Sequence, residues 1–326
     1  TTGCSISIST LTYTTAGTCI IAVTRSSDTN YLARTDSVSF SIGLASQTIT
    51  FASLTAKSYS SDTFTVTASA SSGLLVIFTS GSTSICTTSG VKGAVINLRD
   101  VGLCVINANQ PGDANTAAAA QVVQSFTVNP RAITVTADPK SKVYGTTSDP
   151  VLSYSITTGS LVLGDSLSGA LSRAAGTDVG TYLISAGTLT SANNPKYSIT
   201  YVSDNLTITK ATPTLVLTYP NSNIVILTPG ITDTATVATS SSNGTLSFAS
   251  PTSVSICSVD ATSGVISFTA AGVCQIVMTS AATTNYLQAS DTETVTSVLQ
   301  STSLAGIPSG NLIPMGGTFY ASPILT

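Results

Sequence analysis

Short runs in which apolar residues alternate with Ser or Thr recur along most of the chain. Examples are Ser37–Ile42, Thr63–Ala68 and Ile133–Ala137. Alternation with a period of two is typical of a half-buried β-strand, and Thr, Val, Ile and Tyr favour the pleated surface. Clusters of Gly, Asn, Asp, Ser and Pro separate the runs. The pattern predicts an all-β protein built from small sandwiches.

The chain also repeats itself around three pairs of cysteines. Cys4 and Cys19, Cys86 and Cys104, and Cys257 and Cys274 lie 15, 18 and 17 positions apart. A glycine stands two positions before the second cysteine in each pair, and a Thr-Asn-Tyr-Leu motif follows in the first and third copies. The middle copy has Ala114-Asn115-Thr116 there and lacks the tyrosine. Self-similarity at this period predicts a tandem array of like modules.

The composition excludes several classes of function. Only 8% of the residues are charged, against about 25% in an average soluble protein. The absence of His excludes Ser-His-Asp and Cys-His catalysis and histidine-ligated zinc. A net charge of −3 with scattered basic residues predicts no nucleic-acid partner, and no apolar run is long enough for a membrane-spanning helix. Dispersed carboxylates predict no metal site, and we expect no catalytic residue and no cofactor.

The region between the second and third cysteine copies differs from them. It contains no cysteine. Its motifs, in order, are Ala132–Asp138, Lys142-Val143-Tyr144-Gly145, Leu161–Leu167, Gly176–Tyr182, Asn193–Ile199 and Leu206–Lys210. This stretch resembles the mostly-β-grasp (MBG) repeat of large bacterial surface proteins and adhesins. The cysteine copies resemble the bacterial immunoglobulin-like repeats that alternate with it. The resemblance implies extracellular, non-enzymatic stalks or scaffolds on the cell surface.

These observations predict five parts of the chain. Roughly 40 residues precede the first cysteine in the later copies but only three precede Cys4, so we expect the first module to lack its front half. The predicted parts are an incomplete immunoglobulin-like module at 1–45, a complete one at 46–129, a β-grasp-like module at 130–210, another immunoglobulin-like module at 211–299, and an uncharged tail at 300–326.

Position within each repeat predicts three disulfides, Cys4–Cys19, Cys86–Cys104 and Cys257–Cys274, in an oxidising compartment. Free buried thiols are the alternative. Asp291 and Glu293, the close acidic pair, are predicted to lie on a solvated strand face, and the recurring tyrosines to anchor cores or interfaces rather than to bind sugars. Acids are too sparse to support an intramolecular Lys–Asn cross-link, which intact mass would test at Lys142 or Lys210. Asn205 and Asn243 fit the glycosylation pattern, which arises by chance in a chain rich in Ser, Thr and Asn.

The sequence therefore predicts an extracellular structural protein, a subunit of a cell-surface filament or array. Copies of itself or other surface proteins are the expected partners, and glycans are the alternative partner. We expect the tail of one subunit to complete the first module of its neighbour by strand addition. The alternative is a passive stalk of a large bacterial adhesin whose binding tip lies outside this chain. A secreted glycan-binding or hydrolytic module is a third class.

Overall fold

The computed structural model describes residues 3–219, 223–228, 231–234 and 236–299 of the 326-residue chain. Regular structure in these residues consists of β-strands and one short 3-10 helix, Val91–Gly93. The predicted all-β fold class, an array of immunoglobulin-like sandwich modules with a β-grasp-like module, is confirmed. The predicted tail at 300–326 lies outside the described residues.

The chain divides into two compact units. Unit 1 contains the described residues up to Ser141, together with Asp149–Gly176 and Thr181–Thr207. Unit 2 contains Lys142–Ser148, Thr177–Gly180 and the described residues from Ile208 onward. The predicted boundaries after residues 45, 129 and 210 remain predictions.

Unit 1 begins with two antiparallel hairpins. Cys4–Ser7 pairs with Thr10–Tyr13, and Gly17–Arg25 pairs with Arg34–Ile42 over nine residues. In this hairpin the strand Arg34–Ile42 alternates apolar residues with Ser from Ser37 onward, whereas Gly17–Arg25 contains an unbroken apolar run from Cys19 to Val23. It carries the candidate site described below.

The next part of unit 1 has sheets on both sides of a shared core. Ile96, Ile106 and Phe126 lie in this core with Cys86 and Cys104, and all five are buried. The four-stranded sheet has the order Lys57–Ser58, Val122–Asn129, Gly102–Asn109 and Ile77–Ser80. The three-stranded sheet has the order Cys86–Ser89, Val95–Leu98 and Phe64–Thr65, and Ile49–Thr50 pairs with Ser69–Ala70.

Residues 131–207 of unit 1 add a three-stranded sheet whose central strand, Arg131–Ala137, is antiparallel to Tyr154–Thr158 and parallel to Tyr197–Val202. A further antiparallel pair joins Ser172–Arg173 to Gly180–Ser185, with Arg173 opposite Ile184. The remaining strands of this region are Lys140–Val143 and Asp204–Thr209.

Unit 2 repeats the two-sheet arrangement around its own core. Ile266, Ile276, Met278 and Val295 are buried there with the Cys257–Cys274 pair. The four-stranded sheet has the order Ile224–Leu227, Ala289–Leu299, Gly272–Ser280 and Leu246–Ala249. The three-stranded sheet has the order Thr232–Thr234, Val265–Phe268 and Cys257–Val259, and Leu215–Thr218 pairs with Thr236–Ser240.

Candidate subunit interface

The strand pair after the second cysteine has the same register in all three cysteine copies. Cys19 lies opposite Phe40, Cys104 opposite Phe126, and Cys274 opposite Val295. Each first strand begins at a glycine with positive φ: Gly17 at 134°, Gly102 at 131° and Gly272 at 150°. Residues with a side chain rarely adopt this conformation, so the recurring glycine marks a common start for the strand. Equivalent positions can therefore be compared directly.

The face of this strand pair is covered in two copies and uncovered in the first. Four residues after the second cysteine, Ala108 and Met278 are fully buried, whereas Val23 is 70% exposed. Two residues after it, Ile106 and Ile276 are fully buried while Ile21 is only half-buried. The first copy thus presents to solvent an apolar strip that the other two copies use as core.

Apolar side chains are also exposed across the rest of the 1–45 segment. Among its described residues, Cys19 is the one buried apolar residue. A shallow groove between its two hairpins is lined by Cys4, Ile6, Leu11 and Ile20. Contiguous exposed apolar surface is typical of interaction sites. The exposed large apolar side chains of the segment are Ile6, Ile8, Tyr13, Ile20, Val23, Tyr31, Leu32, Val38 and Leu44.

A tight loop follows the exposed strand and contains the Thr-Asn-Tyr-Leu motif. Asp28 closes it, because its Oδ1 accepts hydrogen bonds from the backbone N–H groups of Asn30, at 2.8 Å, and Tyr31, at 2.9 Å. The same two bonds join Asp113 to Asn115, at 2.9 Å, and to Thr116, at 2.8 Å. The loop therefore has one backbone design in both copies, whether or not it carries the tyrosine.

The turn bonds also lower the pKa of both carboxyl groups. The backbone N–H of Asn30 is the main cause at Asp28, and Arg25, 2.8 Å away, adds to it. The backbone N–H of Asn115 is the main cause at Asp113. Both acids are therefore ionised at neutral pH, when they hold the loop closed.

In the second and third copies, the loop asparagine is Asn115 or Asn285. Each accepts a hydrogen bond from the residue just before a glycine in the same unit: Ala16 before Gly17, and Val179 before Gly180. Asn115 Oδ1 accepts a hydrogen bond from the backbone N–H of Ala16 at 3.0 Å. Asn285 Oδ1 accepts one from Val179 at 2.9 Å, and its Nδ2 donates to Asp178 Oδ1 at 2.9 Å. We call this contact the asparagine clamp. Sequence reasoning singled out the motif for its tyrosine and missed the role of the asparagine.

Backbone pairing flanks each clamp. Ala45 forms a parallel bridge with Thr116, and Ala211 forms one with Tyr286. The Tyr286 ring also packs edge-on against Tyr144 at 5.4 Å between ring centroids. The clamp is therefore part of a contact that recurs in both units.

The first copy has the same loop with its motif exposed. Tyr31 is 61% exposed and Leu32 is 89% exposed. The guanidinium carbon of Arg25 lies 4.1 Å from the Tyr31 ring centroid, so the ring is held in place from one side.

Three disulfides join the predicted cysteine pairs. The Cα–Cα distances are 6.0 Å for Cys4–Cys19, 5.7 Å for Cys86–Cys104 and 5.8 Å for Cys257–Cys274. No free cysteine and no cluster of three or more metal-ligating side chains occurs in the described part of the chain.

Asp291 and Glu293 do not form the solvated face that the sequence predicted. Both are half-buried, and each accepts a hydrogen bond: Asp291 from the backbone N–H of Leu217 at 2.9 Å, and Glu293 from Asn223 Nδ2 at 2.8 Å. The prediction was wrong because these acids tie a neighbouring strand and turn to the long strand that carries them.

The remaining residues singled out in the sequence are the two lysines, the two glycosylation-type asparagines and the tyrosines. Lys210 Nζ donates to the backbone carbonyl of Thr283 at 2.6 Å, and Lys142 Nζ to that of Thr146 at 3.2 Å. Asn205 and Asn243 are exposed. Among the tyrosines that the structure describes, three are buried as core anchors, and Tyr286 packs at the clamp. The buried ones are Tyr59, Tyr197 and Tyr219.

The fold and these contacts define an all-β repeat protein with immunoglobulin-like modules. Residues 133–207 match the family model of the MBG domain (YGX type), which confirms the resemblance inferred from this region. The match and the disulfides indicate an extracellular structural or adhesin-like protein. No curated protein matches the chain.

Several solved structures are loosely similar. The chain is 9% identical to Drosophila N-cadherin EC1-4, with 88% of this chain and 84% of that chain covered and a TM-score of 0.27. It is 12% identical to mouse cadherin-23 EC22-24, with coverages of 78% and 100% and a TM-score of 0.27. For domains 1-6 of the surface layer protein SbsC, the identity is 16%, the coverages are 92% and 48%, and the TM-score is 0.23. In the described residues, no helix is long and apolar enough to cross a membrane.

Proposed function

We propose that the chain is a subunit of an extracellular filament or surface array held together by contacts between subunits. The observation that carries the proposal is the uncovered apolar strip of the first copy. At about 25 cal/mol per Å² of apolar surface, leaving such a strip in water costs free energy that a neighbouring subunit would recover by covering it.

The low charge supports the same proposal. Surfaces of soluble monomers carry many mixed charges, which oppose association. This chain has 11 basic and 14 acidic residues in 326. Its partners on this account are copies of itself or other surface proteins, and no catalytic residue is assigned.

We also propose how the strip is covered. Residues 300–326 are uncharged and largely apolar, and they fit the requirement for a strand that a neighbouring subunit donates to the first module. Added to the edge of the Gly17–Ile42 hairpin, such a strand would satisfy backbone groups and bury apolar side chains together. The predicted parts 1–45, 46–129, 130–210 and 211–299 are then the modules of one subunit.

A passive stalk of a bacterial adhesin is the second candidate. The recurrent asparagine clamp favours it, because contacts that join successive parts of one chain suit a semi-rigid spacer. In that case the chain would exist as single rods.

Deletion of residues 300–326 tests the donor role. Negative-stain microscopy and sedimentation of the full chain should show filaments or sheets, and the shortened chain should remain dispersed. A matched control replaces Leu163, which is 97% exposed, with Lys and should assemble normally. Normal assembly of the shortened chain would rule out the donor role, and single rods from the full chain would favour the stalk.

A further inference from the structure

We propose that the Asp28–Leu32 loop is an unfilled asparagine clamp whose partner is the Ala271-Gly272 step of a second copy of this chain. The inference rests on the proposed self-association and identifies two surfaces that would meet. It follows from comparing three copies of one loop with three copies of one glycine step.

The loop is already in its binding shape. Asp28 makes the two backbone hydrogen bonds that Asp113 makes in the second copy, and the Asp28 N–H donates to the Tyr31 carbonyl at 3.0 Å, as the Asp113 N–H does to that of Thr116. Asn30 therefore occupies the position that Asn115 has when it binds Ala16. A preorganised loop loses little conformational entropy on binding.

The side chains beside Asn30 also match a filled clamp. In the third copy, the tyrosine after the asparagine packs against another aromatic ring and is half-buried. Its counterpart Tyr31 is mostly exposed, and Leu32 is more exposed than its counterpart Leu287. Apolar side chains that are covered in one copy and bare in another point to a missing contact.

The partner is identified by what the clamp binds in the second copy, which is the residue before the glycine that starts a cysteine strand. There are three such steps. The N–H of Ala16 bonds to Asn115, and the N–H of Val101 bonds to the carboxylate of the adjacent Asp100 at 2.8 Å. The third step is Ala271-Gly272.

The Ala271-Gly272 step has the properties that a clamp requires. Gly272 has a φ of 150°, close to the 134° of Gly17, so the two steps share their backbone form. Ala271 is exposed, and its N–H makes no hydrogen bond to any residue that the structure describes. The residue before it is Ala270, which has no side-chain acceptor to compete as Asp100 does.

A photo-cross-linking experiment tests this pairing. Tyr31 is replaced with p-benzoylphenylalanine, and the protein is mixed with an isotope-labelled copy at a concentration where sedimentation shows assemblies. We expect a cross-link between unlabelled and labelled chains that maps to a peptide containing Ala271-Gly272. The same probe at Tyr286 is the positive control and should react with the Tyr144 peptide of its own chain. The probe at Leu163 is the negative control.

An Asn30→Ala variant supplies an independent measurement. Loss of one neutral hydrogen bond should weaken assembly roughly three- to tenfold, while the matched Asn243→Ala variant should leave it unchanged. Assemblies whose Tyr31 product maps elsewhere, or lies within one chain, would overturn the clamp and leave the proposed function standing. A chain that stays monomeric at all concentrations would instead refute the proposed function.

Discussion

Truncating Val23 and Met278 to Ala tests whether the strip is unused within the chain. The two residues occupy the same position in their copies, but Val23 is 70% exposed and Met278 is fully buried. Met278→Ala leaves a cavity in a closed core and should cost about 2–5 kcal/mol. Val23→Ala removes surface that already faces water and should cost less than about 0.5 kcal/mol in the isolated chain.

In the assembly, Val23→Ala should have a larger effect than Met278→Ala. Replacing Val with Ala removes two carbon groups, and at about 0.8 kcal/mol for each buried group the loss is about 1.5 kcal/mol. This corresponds to a roughly tenfold higher concentration for assembly. Met278→Ala should raise that concentration less, since its side chain is buried within its own core.

Hydrogen exchange measured by mass spectrometry separates the two effects, because peptides from residues 17–25 and 272–280 are monitored individually. Dilute protein gives the stability of each strand, and light scattering over a concentration series gives the onset of assembly. A cost above about 1 kcal/mol for Val23→Ala in dilute protein would show that the strip is covered within the chain. An unchanged onset of assembly would show that it is not a subunit contact.

Three further predictions concern the fold itself. Replacing the Cys86–Cys104 pair with Ala should lower unfolding free energy by about 3 kcal/mol in urea titrations followed by tyrosine fluorescence, and a loss below about 1 kcal/mol would contradict a disulfide there. Burial, followed by the hydrogen bond to Asp165, raises the pKa of Tyr197 from 10.0 to about 12. The unfolded chain therefore loses the Tyr197 proton first, and the free energy of unfolding falls as pH rises from 10 through 12. A Tyr197→Phe variant should lack this part of the alkaline loss, and an identical pH profile would refute the assignment. Gly93→Ala should lower the unfolding free energy by at least about 2 kcal/mol, because φ is 75° and a Cβ would meet the backbone carbonyl of Phe78. Gly73 has a similar φ but open space around it, so Gly73→Ala should cost about 1–2 kcal/mol in the same titration.

The β-strand class could be predicted from the sequence, because it depends on the local alternation of apolar and polar residues and on turn-forming residues. The glycine before Cys19, Cys104 and Cys274 marks the start of each strand, and alternation assigns the buried face. The MBG region was identified through residues spread along its whole length.

The asparagine clamp could not be predicted in the same way. Asn115 binds a residue 99 positions away and Asn285 one 106 positions away, and both partners are backbone N–H groups that leave no signature in side-chain identity. The sequence pointed to the tyrosine of the motif, yet the clamp persists at Asn115, where Thr116 replaces it. The prediction for Asp291 and Glu293 was wrong because their partners, Leu217 and Asn223, lie 74 and 70 positions away in sequence.

The parallel pairing of Ile224–Leu227 with Ala289–Leu299 has a mechanical consequence. An early strand of the 211–299 segment lies beside its last strand, with four aligned pairs from Ile224 opposite Thr296 to Leu227 opposite Leu299. Tension applied to the two ends of the segment slides these strands along each other, so their hydrogen bonds are loaded together in shear rather than broken one at a time. Lys57–Ser58 and Val122–Asn129 repeat the arrangement in unit 1. Pulling on the ends of either segment would therefore load this parallel pairing in shear.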